Sequence, residues 1–346
     1  MLRRFMAGLL VLGFLAGIAV PVLGQDKEKD KAKDKGKEEP KDKDKGTGKE
    51  EPKGAALKWK FEKGVPFYQK LTTTTSQNMQ VMNNDVTQTQ SQVFFFSWTP
   101  EKTDGDKVTL KQKIEGVIMD IDIGGNKIAY DSTKEQQANN PLADYFKALK
   151  GSEFTLVLDT KKMQVEKVEG RDDFLRKLIA ANPQMKQLLD AILSESALKE
   201  MAEPTFAVVP AKADEKKWER RTSLDMGPIG KYDNTYSFEY VKATGDKHEI
   251  KVDTNLAYTA PGEDKRAGLP FTIKSATLKS GKGKGDNIII FDAAKGRLEK
   301  STMEVKLTGE LSIDIGGSTT KVTLNQTQTS VIEALDKLPD AIKPKS

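Results

Sequence analysis

Met303-Glu-Val-Lys-Leu-Thr-Gly-Glu-Leu-Ser-Ile-Asp-Ile315 is the stretch from which the fold class follows. Met303, Val305, Leu307, Leu311, Ile313 and Ile315 share one parity, with Gly309 among them. Glu304, Lys306, Thr308, Glu310, Ser312 and Asp314 share the other. Side chains alternate across a strand, so the spacing predicts one long strand with a dry face and a wet face. Such alternation favours antiparallel sheet over the continuous apolar runs of parallel sheet. Tyr236-Phe238-Tyr240 and Phe154-Leu156-Leu158 repeat the pattern. Strand-like runs separated by Gly, Asp and Asn extend it through most of the chain after Leu57.

The run 108–123 breaks the rule once. Val108, Leu110 and Ile114 lie on one parity, and Val117, Met119, Ile121 and Ile123 on the other. One extra residue inverts the alternation, so a β-bulge around Gly116 is expected to return both sets to a common face. Phe94, Phe96 and Trp98 share a parity that excludes Phe95. The segment is therefore a strand buried on both faces, or one wall of an apolar pocket.

Several stretches resemble one another across the chain. Asp120-Ile-Asp-Ile-Gly-Gly-Asn126 matches Ser312-Ile-Asp-Ile-Gly-Gly-Ser318, and 87–92 mirrors 325–330. Phe154-Thr-Leu-Val-Leu-Asp159 and Asn287-Ile-Ile-Ile-Phe-Asp292 each end in Asp, turn, and return as a polar strand. Two related β-rich halves, 55–170 and 204–346, would produce this; so would a shared vocabulary of hairpins.

Between these halves, over 171–203, the period changes. Phe174, Leu175, Leu178 and Ile179 precede Asn182-Pro183; Met185, Leu188, Leu189, Ile192, Leu193, Ala197, Leu198 and Met201 follow. This is an amphipathic helical pair broken near Asn182, with Asn suited to the cap and Pro to the first turn. A shorter helix is expected between Pro141 and Gly151. Such faces cover the sheet as ordinary core, or line a ligand cavity against it. The candidate cavity wall is Phe94, Phe96 and Trp98 on the sheet, with Leu175, Leu178, Ile179, Leu188, Leu189, Ile192 and Met201 on the helices.

The N-terminus reads as an address. Arg3-Arg4 precedes a 16-residue apolar run from Phe5 to Val20, and Val22-Leu23-Gly24 precedes a polar start at Gln25. This is the pattern of a secretory signal over 1–24; the apolar run is short of the roughly 20 residues of a spanning helix. Cleavage would leave no stable transmembrane anchor. Residues 25–54 carry 11 Lys and 10 acidic residues and repeat Gly-Lys-Glu-Glu-Pro-Lys at 36–41 and 48–53. With so little apolar surface this tract reads as a disordered spacer. The β-rich body is 55–346.

Composition excludes much chemistry. There is no Cys, hence no disulfide, thiolate metal site or thiol nucleophile. There is one His, which excludes a His–His metal pair within the chain. The net charge of +5 on 346 residues gives no field for nucleic acid, although Lys279, Lys282 and Lys284 lie close together.

The remaining motifs are weak. Asp120-x-Asp122-x-Gly124-Gly125 resembles the start of a calcium loop, but Gly124 stands at position five and Asp131 at position twelve. Ser196-Ala-Leu-Lys199 has the S-x-x-K spacing without its S-D-N or K-T-G companions. His248 is expected as an exposed hairpin residue. The run 281–285 lacks the spacing of a phosphate loop. No catalytic residue, metal site or cofactor is expected.

The layout resembles exported bacterial β-rich proteins catalogued as a domain of unknown function: signal, Lys-rich spacer, and strand–Asp–turn–strand units such as 154–168 and 287–300. A weaker, purely architectural similarity is to the LolA/LppX-type half-barrel lipoprotein carriers, in which a curved antiparallel sheet closes over helices around an apolar cavity. Thr72–Thr75 and Gln88, Gln90 and Gln92 give polar strand faces that do not demand such a cavity. The expectation is a mainly β (α+β) protein: a long antiparallel, curved sheet or half-barrel with a mid-chain helical insertion. Its expected place is periplasmic or extracellular, associated with the envelope. Its expected role is non-enzymatic, with a lipid, other apolar ligand or envelope component as partner. The alternative is a structural or adhesive surface module without a cavity.

Overall fold

A computed structural model describes residues 57–81, 84–134, 143–212, 215–282 and 287–343. The expected signal, the spacer, the helix start at Pro141 and residues 283–285 of the run 281–285 lie outside the described residues.

The described strands are β1 (Phe67–Val81), β2 (Asn84–Asp104), β3 (Lys107–Ile123), β4 (Asn126–Asp131), β5 (Glu153–Asp159), β6 (Gln164–Glu169), β7 (Lys217–Asp225), β8 (Lys231–Thr244), β9 (Lys247–Thr259), β10 (Thr272–Lys282), β11 (Ile288–Asp292), β12 (Arg297–Ile315) and β13 (Ser318–Leu335). The helices are α1 (Ala143–Leu149), α2 (Arg171–Ala181), α3 (Lys186–Ile192) and α4 (Glu195–Phe206). All strands join one curved, unclosed antiparallel sheet in the order β6-β5-β3-β2-β1-β13-β12-β11-β9-β8-β7. The first and last strands therefore pair at its centre, in register from Tyr68↔Leu335 to Val81↔Val322.

Two long strands each serve two partners along one side. β3 pairs β5 through 107–113 and β4 through 118–123. β12 pairs β11 through 297–302 and β10 through 305–314. In β12 the expected dry set Met303, Val305, Leu307, Leu311 and Ile313 is buried, whereas Ile315, beside the turn at the strand's end, is only half-buried. Gly309 sits among them at φ 150°, and a Cβ there would come within 2.0 Å of Thr277 O on β10. Only glycine lets the two backbones approach so closely.

The bulge in β3 is where the parity switch put it. Phe95 pairs Gly116 while Phe96 pairs Ile114, leaving Glu115 as the extra residue. Its carboxylate accepts a 2.7 Å hydrogen bond from Ser97 Oγ and lies 3.1 Å from Lys113 Nζ. Both apolar sets of β3 are thereby buried on the inner face.

The two Asp-Ile-Gly-Gly stretches are two-residue hairpins. Gly124 and Gly125 (φ 55°, 89°) and Gly316 and Gly317 (φ 63°, 88°) take the two positive-φ positions of a type I′ turn. Asp122 Oδ1 and Asp314 Oδ1 accept from Gly125 N and Gly317 N at 2.8 and 2.9 Å. That turn chemistry occupies Asp122, the residue the calcium reading would need.

The main strand order ends at β6 and β7, while β4 and β10 branch off it, each paired to one strand. α4 packs against both β6 and β7. Ser194 caps it, accepting from Ala197 N at 3.2 Å, and Glu200 Oε2 accepts from the edge amide of Ser223 at 3.0 Å. A helix thus spans the gap where a closed barrel would have strand pairing, and covers edges that would otherwise invite another chain. Asn182 makes no side-chain cap, contrary to expectation; Pro183–Met185 forms a single 3-10 turn into α3. Phe95, on the opposite parity to its neighbours, is buried on the outer face beneath Leu338 and Ile342. The aromatic strand is buried on both faces.

Candidate functional site

Between the helices and the inner face of β1, β2, β12 and β13 lies a cavity of about 190 Å³. Phe94, Phe96 and Trp98 of the expected wall line it from the sheet, and Leu178 and Met201 from the helices. Leu175, Leu188, Leu189 and Ile192 do not line it; they are buried in the surrounding core, and Ile179 packs against that core half-buried. Helical periodicity identifies the dry stripe, but not which of its residues meet the sheet directly and which stand off from it.

Sequence reasoning missed most of the remaining lining. Tyr145 and Leu149 come from α1, Phe154 from β5, Phe174 from α2, and Leu193, Leu198 and Ala202 from the following helical segment. Their alternation or helical spacing was visible, but their convergence depends on how the helices dock. Polar residues were missed as well. Gln69 and Thr73 of β1, Gln112 of β3, Ser301 of β12, and Gln328 and Ser330 of β13 all line the cavity. No charged side chain does so among the described residues. Burial pushes the Tyr145 phenol far above its ordinary value, so that group is also neutral.

The polar groups form a wall of their own. Strand register sets Gln92–Thr73–Ser330, Gln90–Thr75–Gln328 and Gln88–Gln77–Gln326 in three rows across β2, β1 and β13. Met119, Ile121 and Ile123 flank them on one side, and Met303, Val305 and Leu307 on the other. The expected polar faces are therefore not all wet: Gln88, Gln90, Gln92, Thr73 and Thr75 are buried. They continue the parity of Phe94, Phe96 and Trp98, which was the available signal. Thr75 Oγ1, Gln88 Oε1 and Gln90 Nε2 have no hydrogen-bond partner among the described residues.

Nearest the cavity, the Trp98 indole donates a 2.9 Å hydrogen bond to Gln69 Oε1. Gln69 Nε2 and Ser301 Oγ are buried without a partner among the described residues. Buried polar groups are ordinarily satisfied, and each that is not costs about 1–3 kcal/mol.

A second polar cluster lies where α4 meets β7. Burial first, then the like charge of Glu200, pushes the Glu203 carboxyl up to about 7, against the opposing pull of Arg220 and Lys199. Burial lowers the Arg220 guanidinium, and its Nε and Nη2 have no hydrogen-bond partner among the described residues.

The weaker motifs resolve into structure. Lys199 Nζ lies 3.5 Å from Glu195, while Ser196 Oγ is 3.2 Å from Ser194 Oγ. His248 is half-buried rather than exposed, with Nδ1 3.1 Å from the Tyr240 hydroxyl, because both sit near the turn joining β8 and β9. No group of three or more His, Asp or Glu able to hold a metal occurs among the described residues. No helix among them is long and apolar enough to cross a membrane.

A family model described as a family of unknown function, DUF6263, matches residues 105–315. No curated protein matches the chain. Solved structures show weak likenesses. A lipovitellin studied for its lipid–protein interactions aligns at 10% identity and TM-score 0.40, over 81% of this chain and 26% of that one. The present chain thus spans about a quarter of the lipovitellin chain. A DUF1329 family protein from Desulfovibrio piger aligns at 8% identity and TM-score 0.13, over 80% of this chain and 89% of that one. A putative outer membrane lipoprotein-sorting protein domain from Vibrio parahaemolyticus aligns at 8% identity and TM-score 0.12, over 78% and 87%.

Proposed function

The chain belongs to the DUF6263 family of unknown function, so its role has to be read from its own geometry, and we propose that it binds an apolar ligand between sheet and helices, without catalysing a reaction. The observation that carries this reading is the 190 Å³ cavity lined by aromatic and aliphatic side chains from both layers. Packed interiors hold few voids larger than a water molecule, and dry apolar cavities of about 150 Å³ accept benzene. The present cavity is somewhat larger than that, and smaller than the ~300–1,000 Å³ of pockets for drug-sized ligands. It suits a small amphiphile or the end of one chain. A complete two-chain lipid would require the helices to move aside.

Export to the cell envelope fits the charged start and apolar run of residues 1–24, with 25–54 as a spacer and 55–346 as the functional body. The absence of catalysis is supported by the pairing of Lys199 with Glu195 and by the lack of a charged group on the cavity wall among the described residues.

Native mass spectrometry of protein produced by export in a bacterial host tests the reading, followed by organic extraction of the same sample. A reproducible added mass, released by solvent, is expected. A clean ligand-free mass, with amphiphiles offered and refused, would overturn it and favour a structural surface module.

A further inference from the structure

The cavity is mainly apolar on its helical side, where Tyr145 and Thr205 bring the only hydroxyls among the described lining residues, and its sheet side presents a hydrogen-bond donor with nothing to receive it. Gln69 is 3% exposed and lines the cavity. Its amide can be oriented without ambiguity. The Trp98 indole can only donate, so the atom 2.9 Å from it must be the amide oxygen. The other end, Nε2, carries two N–H donors and has no partner among the described residues. Ser301 is 1% exposed, lines the same cavity, and its hydroxyl is also without a partner there. In the sheet, Leu71, Ile332 and Ser301 lie side by side across β1, β13 and β12, and Gln69 stands one inward position along β1 from Leu71. The two polar groups are thus separate points on one wall.

We propose that the site selects a neutral carbonyl-bearing amphiphile, an ester, amide or ketone of small apolar body, whose oxygen accepts from Gln69 Nε2 and whose hydrocarbon fills the space under α2 and α4; this rests on the cavity being a binding site. The selection has three physical parts. An acceptor is required because Gln69 offers only donors there. Charge is disfavoured because the described wall holds no counter-ion, and an unpaired buried charge shifts to its neutral form or stays out. Size is limited by the 190 Å³ available. Ser301 supplies a second contact that a hydrocarbon cannot use.

The test compares two probes of matching connectivity, methyl benzoate and sec-butylbenzene, by calorimetric titration of the full chain and of Gln69→Met. The hydrocarbon has the larger transfer term from water, so the informative quantity is the change in the ratio of the two affinities. Gln69→Met should weaken the ester about tenfold and leave the hydrocarbon unchanged or tighter; Ser301→Ala should weaken the ester about threefold. Gln69→Met also strips the Trp98 indole of its acceptor. Should that variant fail to fold, Gln69→Met with Trp98→Phe removes both partners and is expected to show the same loss of ester preference. If both probes bind and no variant moves their ratio, the polar groups are satisfied by water and the selectivity is overturned, while the cavity still binds. If neither probe binds the wild type, the cavity reading itself fails.

Discussion

A β-carbon at position 116 would lie 2.7 Å from Ile342 Cδ1 and 3.3 Å from Phe95 Cδ2. The glycine that marks the bulge therefore also admits the C-terminal segment onto the outer face. Gly116→Ala is expected to destabilise by about 1–3 kcal/mol in urea unfolding, as overpacking does. Combining it with Ile342→Ala should recover part of that loss as a coupling term. The bulge was legible because parity inverted; the close approach was not, because nothing local announces which distant side chain arrives. Glu203 offers a different residue-scale outcome. Its folded pKa of about 7 stands above the ordinary value of 4.5, so the folded state holds this proton more tightly than the unfolded chain. The group's contribution is thus fully present below pH 4.5 and is lost as pH rises through about 7. Glu203→Gln should flatten the decline in melting temperature between pH 4.5 and about pH 7, the window those two values bound.

The hairpins β5–β6 and β11–β12 show how far an element can be read. Asp159 Oδ1 accepts from Lys162 N at 2.9 Å and Asp292 Oδ1 from Lys295 N at 2.8 Å, three residues on in each case. The next residue is left-handed in both: Met163 at φ 54° and Gly296 at φ 59°. The shared strand–Asp–turn–strand pattern was visible in sequence, but the positive φ at a methionine was not. Replacing Met163 by Gly removes a backbone cost of about 1–2 kcal/mol. It also removes a side chain that is 3% exposed, whose burial is worth about 1.5–3 kcal/mol. Burial wins, so Met163→Gly should lower stability by about 1 kcal/mol in denaturant unfolding rather than raise it. α4 makes the complementary point. Its amphipathic face was evident, while its placement across β6 and β7 depends on tertiary docking that propensity does not encode.

At the scale of the molecule, the antiparallel sheet follows from alternation, since few architectures bury one face of so many strands, while its curvature was an expectation of the half-barrel resemblance. The cavity does not follow, because a solid core and a hollow one need the same alternation. Nor does the buried Gln and Thr array, because polar residues at a strand's alternate positions ordinarily read as wet. A cavity-filling substitution separates vacancy from structural need. Ala202 lines the cavity, and Ala202→Leu should block uptake of either probe while leaving the melting temperature equal or higher. A different consequence follows from the pairing of β1 with β13 at the middle of the sheet. These strands come from opposite ends of the described chain, so the central seam is closed by a contact of very high sequence separation, the kind that forms slowly. In a chain delivered N-terminus first, from a ribosome or through a narrow pore, β1 has no partner on that side until nearly everything behind it has emerged. The topology withholds completion of the central seam until β13 has been delivered, however early the local hairpins pair.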